Sequence, residues 1–224
     1  MVSMELYDVM RTTPAVREFT DEPLDDSVLG RILDNARFAP TGGNRQGIRV
    51  IVVRDDGTRS ALADLSLPAA RRYTAQIANG ESPWNPLHPN GVDALTIDAT
   101  EPPTQMSGSM REAAVVLVVC LDLAVVAATD QDLARIGVIS GASVYPFVWN
   151  VLLAARNEGY GGVLTTMAVS EEPRVKALLG VPDSFAIAAV VPLGKPVRQV
   201  TKLRRRPVAE FVNRERFDGA PFDH

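Results

Sequence analysis

The spacing of apolar positions predicts two helices near the start of the chain. Met4–Met10 places its apolar side chains on one side of a short helix. Asp25 or Asp26 can cap a second helix, whose apolar positions recur at helical spacing: Val28, Leu29, Ile32, Leu33 and Ala36. Pro40 and the glycine pair after it predict that this helix ends at Ala39.

Three apolar runs predict strands. Ile48–Val53 is a β-branched run, which the turn residues of Asp55–Gly57 are expected to stop. Ala113–Leu121 and Phe185–Pro192 show no polar alternation, which is typical of strands buried on both faces. These strands predict a central sheet covered by helices.

The second half of the chain predicts two more helical regions. Gln131–Asn157 is a long apolar stretch, and Pro146 should kink it or mark a join between two helices. Ser170–Leu179 predicts a helix that ends at Gly180. With no internal repeat, the order of elements favours one layered α/β domain over residues 1–224.

Residues 67–110 differ in composition and include the proline-rich stretch PWNPLHPNG. We expect an insertion with one helix at Leu67–Ile77, acting as an active-site lid; the alternative is a disordered surface loop. Tyr73, Trp84 and His88 are its candidates for stacking on a substrate, although each can also be an ordinary lid or surface residue.

Composition narrows the chemistry. The single cysteine excludes an intrachain disulfide and a cysteine-based zinc site, and two histidines make a multi-histidine metal centre or a hydrolase triad a poor fit. Neither a GxGxxG motif nor a P-loop is present. The net charge of −4 and the longest apolar run of nine residues favour a soluble, cytoplasmic protein without nucleic-acid or membrane partners. If the chain is an enzyme, a bound cofactor is expected to carry the chemistry, with no metal.

Four segments could together bind one phosphate-bearing heterocycle. RTTPAVREF (11–19) and KLRRRP (202–207) offer cations for a phosphate. APTGGNRQG (39–47) offers small residues and amides, and GYGGVLTTM (159–167) could present backbone N–H groups. Each segment alone also fits a solvated charge cluster, a turn or a helix stop.

The order of these motifs, followed by PLGKP and RRRPV, resembles the FMN-dependent nitroreductase family over about residues 4–212, apart from the insertion. The resemblance implies an α+β fold, a three-layer α/β/α sandwich around a mixed, mainly antiparallel sheet. It also implies an intertwined homodimer with shared flavin sites, in which the C-terminal tail (208–224) packs on the partner subunit. The apolar helices around Val138 to Ala155 are expected to add to this contact.

The same resemblance assigns the phosphate site. Arg17 matches the second arginine of the family's Arg-Ser-x-Arg pattern, whereas Pro14 and Ala15 stand in place of Arg and Ser. Arg11, Thr12 or Thr13 is expected to substitute. One or more of Arg204, Arg205 and Arg206 would complete the site.

For the flavin ring, the resemblance implies contacts from both subunits. The loop of the partner subunit would contribute the following residues: Pro40, Thr41, Gly42, Asn44 and Gln46. Leu164 would pack on the ring beside Thr165, and the backbone of Thr166 or Met167 would donate to flavin N5. No acid–base side chain is assigned.

The implied activity is ping-pong hydride transfer from NADH or NADPH through FMN to flat, electron-poor acceptors such as nitroaromatics or quinones. One alternative is a divergent branch that performs enone reduction, dehalogenation, flavin breakdown or deazaflavin chemistry. Another is a non-catalytic flavin-binding or storage protein. A nucleic-acid binder resting on Arg204–Arg206 ranks below these.

Overall fold

The computed structural model describes residues 4–223, which form helices on both sides of a four-stranded sheet. The helices are α1 (Leu6–Thr12), α2 (Asp26–Ala36), α3 (Asp56–Ala78), α4 (Ala94–Ala99), α5 (Ser109–Glu112), α6 (Tyr145–Asn157) and α7 (Glu172–Leu179). The strands are β1 (Ile48–Val53), β2 (Val115–Asp122), β3 (Gly161–Gly162) and β4 (Phe185–Gly194).

The strand order is β1-β2-β4-β3, and every paired strand is antiparallel to its neighbour. Within residues 4–223, one parallel bridge, between Ala15 and Gly162, attaches the N-terminal segment beyond β3. This arrangement confirms the predicted mixed, mainly antiparallel sheet.

Strand β2 lies in the middle of the core, which explains its unbroken apolar sequence. Alternate side chains point to opposite faces of a strand: Val115, Leu117 and Val119 join one buried cluster, whereas Val116 and Val118 join the other. The first cluster includes residues of α2 and α6, and the second includes residues of α3 and α7. The predicted three-layer sandwich is therefore confirmed.

The turn expected at Asp55–Gly57 is wrong, because these residues begin α3. The Asp55 carboxylate accepts the Thr58 N–H at 2.8 Å and so caps the helix. Helix α3 then runs for 23 residues through Pro68, and the helix predicted at Leu67–Ile77 is only its second half. The irregular part of the expected insertion starts at residue 79 and is interrupted by α4 and α5.

The long helix expected over Gln131–Asn157 is also shorter than predicted. Helix α6 begins at Tyr145, and Pro146 lies in its first turn, where a missing N–H costs no helical hydrogen bond. Ahead of it, Asp130 accepts the N–H groups of Val138 and Ile139 at 2.7 and 3.3 Å, which holds residues 130–139 as a loop. These hydrogen bonds, together with Arg135, keep the pKa of Asp130 below its ordinary value.

Smaller differences occur at element ends. Helix α2 ends at Ala36 rather than Ala39, and α7 begins at Glu172, after a 3-10 turn over Met167–Glu171. Within residues 4–223, no helix is long and apolar enough to cross a membrane.

Candidate functional site

Residues 8–13 and 201–205 meet at a cationic cavity of about 780 Å³. Arg11, from the last turn of α1, lines it together with Lys202 and Arg205 from the C-terminal segment. Thr12, Thr13 and Trp149 add to its wall. Asp8 lines it as well, so three cations face one carboxylate. This surplus of cations suits a phosphate, because charge-assisted hydrogen bonds to its oxygens are strong.

Thr12 and Thr13 are already hydrogen-bonded to carbonyls of α1. The Thr13 hydroxyl is buried and donates to the Val9 carbonyl at 2.7 Å, and the Thr12 hydroxyl donates to the Asp8 carbonyl at 2.6 Å. Arg156 of α6 donates to the Thr12 carbonyl at 3.2 Å and so ties the end of α1 to α6. Of the expected substitutes for the missing Arg-Ser pair, Arg11 therefore keeps its donors available to a ligand.

Arg17 lies in a second cavity, of about 340 Å³, instead of beside Arg205. Pro14 and Ala15 line it too, together with Arg198 and Gln105, which sequence reasoning missed. Gln105 lies in a 3-10 turn (Thr104–Met106) far from the motifs, and Arg198 follows β4. No periodicity or spacing marks either residue; only the fold brings them to Arg17.

Of the three consecutive arginines, only Arg205 lines the cationic cavity. Arg204 and Arg206 are exposed and line none of the cavities described here, within residues 4–223. Arg205 donates to the Arg204 carbonyl at 2.7 Å. The structure thus separates three side chains that the sequence left equivalent.

The glycines of GYGG fit a crowded strand edge. Gly159, with a φ of +82°, is the helix stop, whereas Gly161 and Gly162 form β3. A Cβ at Gly162 would lie 2.4 Å from the Pro192 carbonyl oxygen, and one at Gly161 would lie 2.7 Å from Val16. Close packing between β4 and the N-terminal segment therefore requires both glycines.

Beyond β3, the backbone N–H groups of Thr165, Thr166 and Met167 differ in their hydrogen bonding. Thr165 exchanges two hydrogen bonds of 2.9 Å with Val190, and the Met167 N–H donates to the Thr165 hydroxyl at 3.3 Å. The Thr166 N–H makes no hydrogen bond within the described part of the chain. Leu164 is half-buried and packs against the core cluster of α2 and α6. Of the two predicted N5 donors, Thr166 is thus the one with a free N–H.

A third cavity, of about 430 Å³, brings two of the three predicted substrate residues beside this backbone. Tyr73 of α3 and Trp84 line it together with Thr166 and Met167. His88 lies elsewhere, in a cavity of about 270 Å³ beside Glu81. The sequence could not show which of these three residues line the same cavity, because their positions depend on how the loop after α3 folds back.

The loop of residues 40–46 lies apart from these cavities within one subunit. The Gly42 N–H donates to Ser143 at 3.0 Å, and the Gln46 N–H donates to Thr41 at 3.1 Å. Pro40, Gly42, Asn44 and Gln46 are exposed. In the part of the chain that the structure describes, none of residues 40–46 lines the cavity of Arg205, Arg17 or Trp84.

Comparisons with known proteins agree with this arrangement. A protein of Thermus thermophilus named NADH dehydrogenase is 31% identical over 199 residues, which cover 88% of this chain and 90% of that protein. A solved NADPH:FMN oxidoreductase from Vibrio harveyi, complexed with NAD+, has a TM-score of 0.66 and 19% identity, covering 95% of this chain and 77% of its own. An iodotyrosine deiodinase bound to FMN and 3-iodo-L-tyrosine has a TM-score of 0.68 and 22% identity, covering 95% of this chain and all of its own.

The two solved structures show a shared fold. The model of the nitroreductase family matches residues 10–195, which include α2, the loop of residues 40–46 and the whole sheet. This chain belongs to the nitroreductase family.

Proposed function

We propose that this chain is an FMN-dependent oxidoreductase that takes electrons from NADH or NADPH and reduces flat, electron-poor acceptors such as nitroaromatics or quinones. Membership of the nitroreductase family and the relatives named for NADH and for NADPH:FMN chemistry support this function. The observation that carries it is the meeting of Arg11 with Lys202 and Arg205 around one cavity. These side chains come from opposite ends of the sequence and fit the phosphate of FMN.

The remaining site residues fit the ring of the same cofactor. Gly162 accepts a hydrogen bond from Val16 and lies four residues before Thr166, so one short segment links the Arg17 cavity to the Trp84 cavity. Along it, the free Thr166 N–H can donate to the N5 position, and Arg17 and Gln105 offer polar groups to the pyrimidine edge. FMN, when bound, supplies the redox chemistry by accepting hydride and releasing electrons to the acceptor.

The protein's own part in the reaction is binding and selection. The cations hold the phosphate, the backbone of residues 162–167 positions the ring, and Tyr73 and Trp84 offer surfaces for stacking. We propose that the donor leaves before the acceptor enters the same space, giving ping-pong kinetics. Residues from 79 onward would then act as a lid over the acceptor.

We also propose that two copies of the chain share each site. Residues 40–46 are exposed except for the half-buried Thr41, and they are expected to reach the flavin of the partner subunit. Large apolar side chains stand exposed on α1 and in the C-terminal tail, where Tyr7 is 69% and Phe217 is 98% exposed. Apolar surface of this kind marks association sites, and the tail can pack on the partner.

An absorbance scan of the purified protein tests the function. We expect flavin bands near about 370 and 450 nm that bleach when NADH or NADPH is added without oxygen, and that return when a quinone follows. Bound flavin that neither nicotinamide reduces would contradict the oxidoreductase and favour flavin storage. Failure to take up added FMN would contradict the assigned phosphate site.

A further inference from the structure

Trp84 is held in place by one face of α3. Its backbone N–H donates to the Gln76 side chain at 3.1 Å, and its indole N–H donates to the Ala69 carbonyl at 3.4 Å. The guanidinium carbon of Arg72 lies 4.0 Å from the centroid of the indole ring. Residues 69, 72 and 76 are spaced three and four apart, so they share one face of the helix.

The backbone conformation of Trp84 also indicates that this residue is held in place. Its φ is +53°, in the left-handed region, which a bulky residue adopts only where its surroundings impose it. Glu81 helps to impose it, because its carboxylate accepts from Gln76 and Asn79 at 2.9 and 2.8 Å and from the Gly91 N–H at 3.1 Å. The loop is thereby closed on itself and tied to α3. The indole ring is therefore held in one position at the edge of the cavity that it shares with Tyr73.

Besides the indole, the charge of Arg72 acts on Glu81, whose pKa it lowers, but no hydrogen bond explains the position of Arg72 within residues 4–223. Its Nε is buried without a hydrogen bond, and Arg72 forms no ion pair among the described residues. It does not line the cavity that Trp84 and Tyr73 line. Arg72 therefore contacts the indole from outside the cavity, where a cation–π contact at this distance stabilises the ring position.

The cavity itself carries no charged side chain within the described part of the chain. Its wall consists of Ala69, Tyr73, Trp84, Thr166, Met167, Val169 and Ser170. A carboxylate or ammonium that entered would lose water without gaining an ionic partner, which is costly. An uncharged ring would lose little and could stack on the indole.

We propose that Arg72 is a positioning residue for acceptor selection, which holds Trp84 as an aromatic wall so that the site takes uncharged aromatic acceptors and rejects charged ones. The proposal rests on the proposed function, since Thr166 in the same cavity is the expected neighbour of the flavin. The proposed selectivity distinguishes this chain from the iodotyrosine deiodinase, which binds the zwitterion 3-iodo-L-tyrosine.

The first test measures reoxidation of the FMN-loaded protein after reduction with dithionite, which avoids any effect on the nicotinamide step. Nitrobenzene and 4-nitrobenzoate share a ring and differ by a carboxylate, and ferricyanide needs no stacking. We expect the half-saturating concentration of 4-nitrobenzoate to be about 10-fold higher than that of nitrobenzene. 3-Iodo-L-tyrosine should bind at least as weakly as 4-nitrobenzoate. Equal half-saturation by the two nitro compounds would overturn the selectivity.

Arg72→Gln should raise the half-saturating concentration of nitrobenzene about 5-fold or more, with ferricyanide rates unchanged. Arg72→Lys should restore most of the wild-type value, and Arg72→Met keeps the apolar stem if the glutamine variant folds poorly. Arg37→Gln is the matched control, because Arg37 stacks on the exposed Phe38 at 4.4 Å. Equal losses in the Arg37 and Arg72 variants, or none in either, would overturn the positioning role.

A second measurement does not depend on the flavin. The chain has two tryptophans, so the emission of wild type minus that of Trp84→Phe reports Trp84. Acrylamide quenching of this component should rise about 2-fold in Arg72→Gln and stay near wild type in Arg72→Lys. Unchanged quenching in Arg72→Gln would overturn the inference, even if the protein takes up no FMN. Failure to bind or reduce FMN would count only against the proposed function.

Discussion

The backbone N–H of Val16 donates to the carbonyl of Gly162 across 2.9 Å, and this bond joins two segments that lie about 145 residues apart. One segment carries Arg17 and the other leads to Thr166. The contact needs a bare backbone, since a Cβ at Gly162 would meet the Pro192 carbonyl and Leu193. The geometry of the proposed flavin site therefore depends on two adjacent glycines.

Gly162→Ala should lower stability by about 2–3 kcal/mol, because the new methyl group overpacks a closed strand edge. FMN uptake should fall with it. Gly30→Ala is the matched control: Gly30 lies within α2 and a Cβ there meets nothing within 4 Å, so alanine should be neutral or stabilising by up to about 1 kcal/mol. Urea unfolding of both variants measures the difference, and equal stability of the two would contradict the packing argument.

Arg205→Gln should weaken FMN binding about 10-fold, since one charge-assisted hydrogen bond to the phosphate is lost. Arg206→Gln should change it little, because Arg206 does not line the cationic cavity. Titration with riboflavin, which lacks the phosphate, provides the control for both variants. If Arg205→Gln weakens riboflavin as much as FMN, Arg205 does not hold the phosphate.

Glu81→Gln should loosen the loop that carries Trp84. Hydrogen bonds from Asn79 and Gln76, together with the Gly91 N–H and the charge of Arg72, hold the pKa of Glu81 below its ordinary value. A depressed folded-state pKa stabilises the protein above the unfolded value of about 4.3, and this stabilisation is lost as pH falls through the folded pKa.

Hydrogen exchange of residues 79–91 should consequently be faster in Glu81→Gln than in wild type at pH 7. The stability difference between the two proteins, from urea unfolding, should shrink below about pH 4.3. A difference that stays constant from pH 7 to pH 3 would show that the charge of Glu81 contributes nothing.

Mixing two defective variants tests whether the sites are shared between subunits. Asn44→Gly removes the amide but keeps the left-handed backbone, whose φ is +53° at Asn44. Arg205→Gln impairs the phosphate site. If one subunit supplies Asn44 and the other Arg205, refolding both variants together should leave one intact site in each mixed dimer, and about a quarter of wild-type activity should return. Activity no higher than the mean of the two variants would contradict shared sites.

The sequence by itself determined three of the four described strands, β1, β2 and β4, and the family. A run such as Ala113–Leu121 is typical of a strand buried on both faces, and the spacing along α2 is likewise a local property. The motifs also named the segments of the site, because the residue types that can grip a phosphate or present a bare backbone are few.

Only the tertiary structure decided which members of those segments lie together. Arg205 lines the cationic cavity and its neighbours in sequence do not, Trp84 joins Tyr73 while His88 lies apart, and Gln105 reaches Arg17 from a segment without any motif. The starts of α3 and α6 depend instead on local hydrogen bonds, in the cap at Asp55 and in the loop held by Asp130. One physical reason is common to the site contacts: hydropathy is periodic along the chain, whereas a single hydrogen bond or ring contact between distant residues leaves no period to detect.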